Sequence, residues 1–450
     1  MIWVWIYLLV LSGGTLRNIL QSQARRLRLW RGAAAACGLS VAGSTSVWGW
    51  RSKLEAHADP IEVKFEGPQR GDADTRIVVV FPGPPGFGDV RIRREVGKTG
   101  AREIEIGDEA FDRTFSIEGP MRLVCVLLDA GARRLLLRAN AKSHVEIAGG
   151  ELRAEMADPE VPFVLPLLLD LSRRIARKVD VVKCLAENVE HDPKAGVRLS
   201  NLLVLVRECA WGPRTDEALR IACWDRSPQV RLRAAIELGA EGRGVLLQFA
   251  ESTEDDDRSA QALRVLGNEL PLERRIAIFD HAWHDRRRQT ACACLETFGS
   301  SGTAEGFNIL ARVLAQEESE LAATAAQALG RTASAAAEPL LIPALSRQRK
   351  DVRVAAAEAL GLVGSVAAVL PLKESAERFW WDKDLVRASR QAIAEIQSRL
   401  PGATPGELSL AGAETGQLSL AQAEAGELSL ATNPAGQLSL PPKDDTDREE

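Results

Sequence analysis

Three stretches of the chain hold residue types able to do chemistry, and each falls short on spacing or surroundings. Gly97-Lys98-Thr99 has the ending of a phosphate-binding loop. Such a loop needs a second glycine five positions before Gly97, so that backbone amides can cradle phosphates, and that position is Ile92. His281 and His284 stand three apart on one helical face with Asp285 beside them. A zinc site needs at least a third ligand, and the nearest thiols, Cys292 and Cys294, fall beyond a turn. Their neighbours Ala291, Ala293 and Leu295 read as packed helix, and neither thiol has the setting of an activated nucleophile. The acidic run Glu251, Glu254, Asp255, Asp256, Asp257 reads as a solvated turn, and Arg286-Arg287-Arg288 as an exposed helix start. No catalytic residue, metal, cofactor or small-molecule substrate is therefore expected, and the protein is expected not to be an enzyme.

Composition narrows the partners. With a formal net charge of -5, no global field recruits nucleic acid. A single tyrosine and 11 phenylalanines provide few stacking platforms for single strands. The seven cysteines are odd in number and scattered, mostly through apolar helical runs, which argues against a disulfide framework and for a reducing compartment.

The elements that organise the second half repeat. Leu238-Gly239, Leu266-Gly267, Phe298-Gly299, Leu329-Gly330 and Leu360-Gly361 put glycines 28, 32, 31 and 31 residues apart. An alanine-rich run precedes most of these pairs. This period marks stacked helix pairs, none of which buries its apolar face alone. Asp351-Val352-Arg353 opens a helix that runs through Ala355, Ala356, Ala357 and Ala359 to Gly361, where a left-handed C-cap is expected. The turn to Gly364 leads into a second apolar run, Val366 to Leu372, and Pro343 predicts a kink late in another second helix.

At these residues the chain resembles HEAT repeats, and more closely the short HEAT-like repeats named after bacterial phycobilisome lyases. The Asp…Val-Arg signature stands at Asp192…Val197-Arg198, Asp225…Val230-Arg231, Asp351-Val352-Arg353 and Asp384…Val386-Arg387. The resemblance implies that these Asp and Arg residues pair in a structural ladder between adjacent units. The stretches at Asp257, at Asp285 and from Glu317 to Ala322 lack the Val-Arg.

Upstream the character changes twice. Met1 to Leu11 is apolar or aromatic, five uncharged residues follow, and the arginines begin at Arg17. Sixteen residues come close to the shortest bilayer span, and positive charge behind the run holds the following chain in the cytoplasm. The expectation is a single-pass anchor at 1–16 in the inner (plasma) membrane, with a cytoplasmic protein as the alternative. Residues 17–45 form a basic amphipathic juxtamembrane segment, with Leu20, Leu27 and Trp30 set against arginines. In 46–156, alternation at Ile61–Phe65, Val90–Arg93, Glu103–Ile106 and Val145–Ile147, with an apolar run from Thr75 to Phe81, predicts an antiparallel sheet in a small α+β domain. Met121 to Leu137 reads as helical, and Ile106 to Phe115 is similar to a passage of bacterial membrane-linked proteins.

Beyond residue 400, Gly-Glu/Gln-Leu-Ser-Leu recurs from Gly406, Gly416, Gly426 and Gly436, and an acidic tail follows. Such linkers cannot build a core, so 401–450 is expected to be disordered, either a spacer or a set of strand-adding ligands. Four copies engaged together would raise avidity by roughly 10²–10⁴-fold.

The fold expected is mainly α: an α-solenoid of stacked antiparallel helix pairs over 160–400, preceded by the α+β domain and an N-terminal apolar helix. The function expected is a membrane-tethered cytoplasmic scaffold that binds a protein partner through the solenoid. An enzyme of the bilin-lyase-like class and a helical-repeat nucleic-acid binder are the alternatives.

Overall fold

The computed structural model describes residues 21–47, 51–68, 74–95, 104–177, 180–316, 320–399, 408–410 and 418–420. It forms two compact units, Met1–Leu270 and Pro271–Glu450.

The first unit begins with helix α1 over residues 21–36. Strands β1 (Ser40–Val47), β2 (Arg51–Ala58), β3 (Ile61–Glu66), β4 (Thr75–Val80), β5 (Arg91–Arg94), β6 (Phe115–Glu118), β7 (His144–Ala148) and β8 (Glu151–Met156) follow. They form one antiparallel sheet in the order β1-β2-β3-β4-β8-β7-β5-β6. Alternation decides its two faces: Val63, Phe65, Ile77, Val79, Leu152 and Ala154 point inward and are buried, while Lys64, Glu146 and Arg153 line the wet side. The short helix α2 (Glu109–Asp112) precedes β6, and α3 (Met121–Leu127) and α4 (Ala130–Asn140) form the helical interruption. Helix α5 (Val161–Ile175), apolar almost all round, joins the same core as the sheet.

Two expectations change here. The stretch 17–45 is not a juxtamembrane surface helix over its described part. Trp30 is fully buried and stacks on Phe65 at 5.6 Å, Arg26 pairs with Asp158 at 2.7 Å, and β1 edges the sheet. Its apolar stripe was made for a sheet. Residues 104–106, read as part of a strand, form none, although the Ile104 amide donates to the Ile117 carbonyl of β6 at 3.0 Å; they lead to Gly107, which packs backbone to backbone on Gly196.

The membrane anchor is corrected as well. Among the described residues no helix is long and apolar enough to cross a membrane. Residues 1–16, on which the tether, the N-terminal apolar helix and the single-pass location rested, lie outside the described residues. So do Gly97-Lys98-Thr99 and most of 401–450, although Leu408–Leu410 and Leu418–Leu420 pair antiparallel as β9 and β10.

Helix pairs complete the first unit: α6 (Val181–His191) with α7 (Ala195–Glu208), α8 (Pro213–Ala222) with α9 (Pro228–Leu238), and α10 (Arg243–Glu251) with α11 (Asp256–Leu266). Within it α7 packs on α9 and α9 on α11. Helix α3 occupies the position of a preceding repeat helix. Its Cys125 and Val126 share a core with Leu185, Val204 and Leu205, and Asn188 donates to the Cys125 carbonyl at 3.1 Å.

The second unit stacks four pairs: α12 (Leu272–His284) with α13 (Arg288–Ser301), α14 (Ala304–Ala315) with α15 (Ala322–Arg331), α16 (Glu338–Ala344) with α17 (Lys350–Val363), and α18 (Val369–Arg378) with α19 (Lys383–Ser398). Pro343 lies one residue before the end of α16. The repeated glycines play two roles. Gly239 and Gly267 follow their helices at φ 58° and 50°, a backbone that side chains resist. Gly299, Gly330 and Gly361 are not C-caps but lie inside helices. A Cβ added to them would fall 2.9 Å from the Ala328 Cα, 2.8 Å from the Ala359 Cα and 3.1 Å from the Ala392 Cα of the next inner helix. Glycine against alanine brings α13, α15, α17 and α19 close along their lengths.

Candidate functional site

Arg133, Arg198, Arg231 and Arg353 are each the fourth residue of their helices. That position directs the guanidinium back over the preceding turn. One arm holds the turn's own carbonyls: Arg133 donates to Leu128 O, Arg198 to Asp192 O, Arg231 to Asp225 O and Arg353 to Arg347 O, each at 2.8 Å. The other arm reaches the next unit. Arg198 grips the Asp225 carboxylate by Nε at 2.6 Å and Nη2 at 2.7 Å, and Asp225 also accepts the Ser227 amide at 2.6 Å. Burial pushes the Asp225 carboxyl up, but the Arg198 bonds and the Ser227 amide outweigh it and hold the group below the usual range.

Asp192 is gripped by a residue outside the repeats. Arg133 of α4 donates to both its oxygens at 3.0 Å and, through Nε, to Asp108 at 2.9 Å. All three side chains are buried. Burial works against the Arg133 charge, yet bonding to Asp192 and Asp108 raises its pKa above the ordinary value. The α+β portion thus supplies the rung before the first repeat.

Arg231 lies over the Phe249 ring at 5.6 Å and ends its rung on carbonyls. In the second unit, Arg353 reaches Asp382 at 3.1 Å and sits 4.1 Å from the Phe379 centroid. Asp382, which caps α19 by accepting the Leu385 amide, is the acid here, rather than Asp384. Its carboxyl is pushed up by burial and, more strongly in sum, held down by the Leu385 amide, Arg353 and Lys350. Asp351 pairs with Arg349 two residues away, and Asp384 with Lys350 at 2.8 Å and Arg387 at 3.0 Å. Asp351 and Arg387 therefore pair within their own units, and Asp384 reaches the preceding unit through Lys350 rather than through Arg353. A rung acid belongs in the turn, whereas Asp351 and Asp384 start helices. Sequence reasoning missed Arg133, Asp108 and Asp382; the Trp-Asp step at Trp224-Asp225 and again at Trp381-Asp382 was the available signal for the last.

The chemical candidates do not assemble. Among the described residues no group of three or more His, Cys, Asp or Glu is placed to hold a metal ion. Cys294 is buried and pushed up to about 12 by desolvation, while Cys292 lies 3.4 Å from the Thr324 hydroxyl. Asp255 caps α11 and pairs with Arg258 at 2.7 Å. Arg286 takes a left-handed φ of 55° at the end of α12, and Arg288 pairs with Glu320 at 3.5 Å.

A family model described as HEAT repeats matches residues 307–394, from α14 through most of α19. This part of the chain is built of HEAT repeats. The match is to the repeat class as a whole. No curated protein matches. Among solved structures, human deoxyhypusine hydroxylase in complex with glycerol is similar at 18% identity, covering 48% of this chain and 96% of that one, with a TM-score of 0.22. An engineered protein is similar at 20% identity, covering 49% and 90%, also with a TM-score of 0.22.

In the stacked helix pairs the residue just before a gripped acid points outward: His191, Trp224 and Trp381 are all exposed. Trp224 is 82% exposed, Trp380 74% and Trp381 61%, whereas Trp30 in the sheet core is 0%. Trp211, in the connection from α7 to α8, is 53% exposed.

Proposed function

We propose that the HEAT repeats form a non-enzymatic scaffold that binds a protein partner, with the repeat turns of each unit as docking positions. The observation that carries this is the exposure of Trp211, Trp224, Trp380 and Trp381 on connections between repeat helices. Tryptophan left in water at rigid positions is costly in solubility and effective at interface centres, where losing one such anchor costs about 2 kcal/mol or more. Arg198 and Arg353 fix the turns beside Trp224 and Trp381 by gripping Asp225 and Asp382, which reduces the ordering cost of association.

The test replaces Trp224, Trp380 and Trp381 together by serine and compares the proteins crosslinked in cells by wild type and variant. Photocrosslinkers sit at Arg226 and Lys383, with Glu146 on the sheet's wet face as the control. A partner joined from the turn positions, absent from the control and lost in the variant, supports the assignment. Identical crosslinks in wild type and variant would refute it.

A further inference from the structure

Away from the repeat turns, the first unit contains a groove of about 400 Å³ between α4 and α5. Its walls carry Arg134 and Arg138 from α4 and Arg173, Arg174 and Arg177 from α5 and the residues just after it, with one acid, Asp170. Arg134 and Arg138 stand four residues apart on α4, an arrangement in which like charges repel along a helix face, and Arg177 follows Arg173 by four residues just past the end of α5. Gly131 permits the crowding, since a Cβ there would fall on the Arg174 guanidinium.

Carboxylates neutralise two of the five arginines. Arg173 pairs with Asp170 at 3.3 Å and Arg174 with Asp129 at 2.9 Å. Arg134 gives its Nε to the Ala130 carbonyl at 3.2 Å. Among the described residues, Arg134, Arg138 and Arg177 have no carboxylate partner. A chain with a net charge of -5 therefore concentrates positive charge in one concave place.

Helix dipoles explain part of this pattern only. Arg138 lies in the last turn of α4, and Arg173 and Arg174 lie in the last turn of α5, where cations are favoured. Arg134 is only five residues into α4, nearer the end that disfavours a cation, and Arg177 lies past the end of α5.

We propose that this groove binds a small anion carrying two or more phosphate groups. Guanidinium forks match phosphate oxygens in bidentate fashion. Three unneutralised forks exceed what one carboxylate can satisfy, and the volume exceeds that of a single phosphate. No aromatic ring lines the walls, so a nucleic-acid strand would find no stacking surface.

The test is calorimetric titration of the full chain with sodium tripolyphosphate, with citrate as a polycarboxylate comparator. Saturable one-site binding to tripolyphosphate is expected, weakening as salt rises. The Arg138→Gln/Arg177→Gln double variant should lose affinity by at least about tenfold. Arg220→Gln, at an exposed position on α8, should leave it unchanged. The thermal midpoint of the double variant checks that folding is intact, and Arg138→Lys/Arg177→Lys should bind less well than wild type because the charge stays while the fork is lost. Absence of saturation by about 1 mM, equal affinity in wild type and the Gln double variant, or citrate binding as well as tripolyphosphate would each overturn the proposal.

Discussion

Replacing Gly330 by alanine adds one methyl group where α15 crosses α17. The new Cβ would lie 2.8 Å from both the Cα and the Cβ of Ala359, against an ordinary carbon separation of about 3.5–4.0 Å. The helices must part by up to about 1 Å, and both atoms in the way belong to a residue with no rotamer to change. Overpacking of this kind costs about 1–3 kcal/mol. Alanine in a helix interior returns about 1 kcal/mol relative to glycine. The expected balance is a net loss of about 1 kcal/mol. Gly32 provides the comparison that isolates the steric part. It lies well inside α1, is exposed, and an added Cβ meets nothing within 4 Å. Gly32→Ala should therefore stabilise by about 1 kcal/mol, and the two identical substitutions should differ by about 1–3 kcal/mol. Urea unfolding followed by circular dichroism reads both, with an unchanged slope required of each. If Gly330→Ala stabilises as much as Gly32→Ala, the glycine-on-alanine crossing is not a tight contact and the account of the inner helices fails.

The buried charges give three further expectations. Arg133→Met leaves Asp108 and Asp192 buried without their shared cation, and should destabilise the first unit by about 3–5 kcal/mol in thermal or urea unfolding. A double-mutant cycle of Arg353→Ala with Asp382→Asn should show a coupling of about 0.5–3 kcal/mol, whereas Arg353→Ala with Asp384→Asn should show a smaller one, because Asp384 is linked to Asp382 only through Lys350. Asp225 has a folded-state pKa below the ordinary value, so its contribution is complete above about pH 4 and disappears as pH falls through the depressed pKa. Asp225→Asn should accordingly lower the melting temperature at neutral pH and converge with wild type in acid. Cys125 and Cys294, both pushed up to about 12 by burial, should resist thiol reagents at pH 8 until the chain is unfolded, as a timed labelling experiment with mass readout would show.

The helical half was legible because its signals are local. A Leu-Gly step every thirty residues and Asp before Val-Arg are written within single units. Long-range use of the same residues was not. Gly299, Gly330 and Gly361 look in sequence like helix stops because the alanine that needs the missing methyl lies about thirty residues further on. Asp384 matches the motif better than Asp382, yet only the turn position comes within reach of Arg353. The stretch 17–45 misled for a related reason. An amphipathic helix shows that it has an apolar face without saying what covers it, and the covering residue was Phe65, on the third strand after it. The arginine groove was invisible in the sequence because its two halves, Arg134 with Arg138 and Arg173 with Arg177, are brought together only by the packing of α4 on α5.

An array of like units ends in two faces that want another unit, and such faces invite end-to-end growth into fibres. At the beginning of this array that face is already occupied: α3 is packed into the apolar contact and Arg133 takes the place of an incoming cation on Asp192. The sheet-bearing portion is thereby a stopper. Trimming the chain back to Val181 would uncover Leu185, Val204 and a bare Asp192 at one stroke, so the shortened product should self-associate.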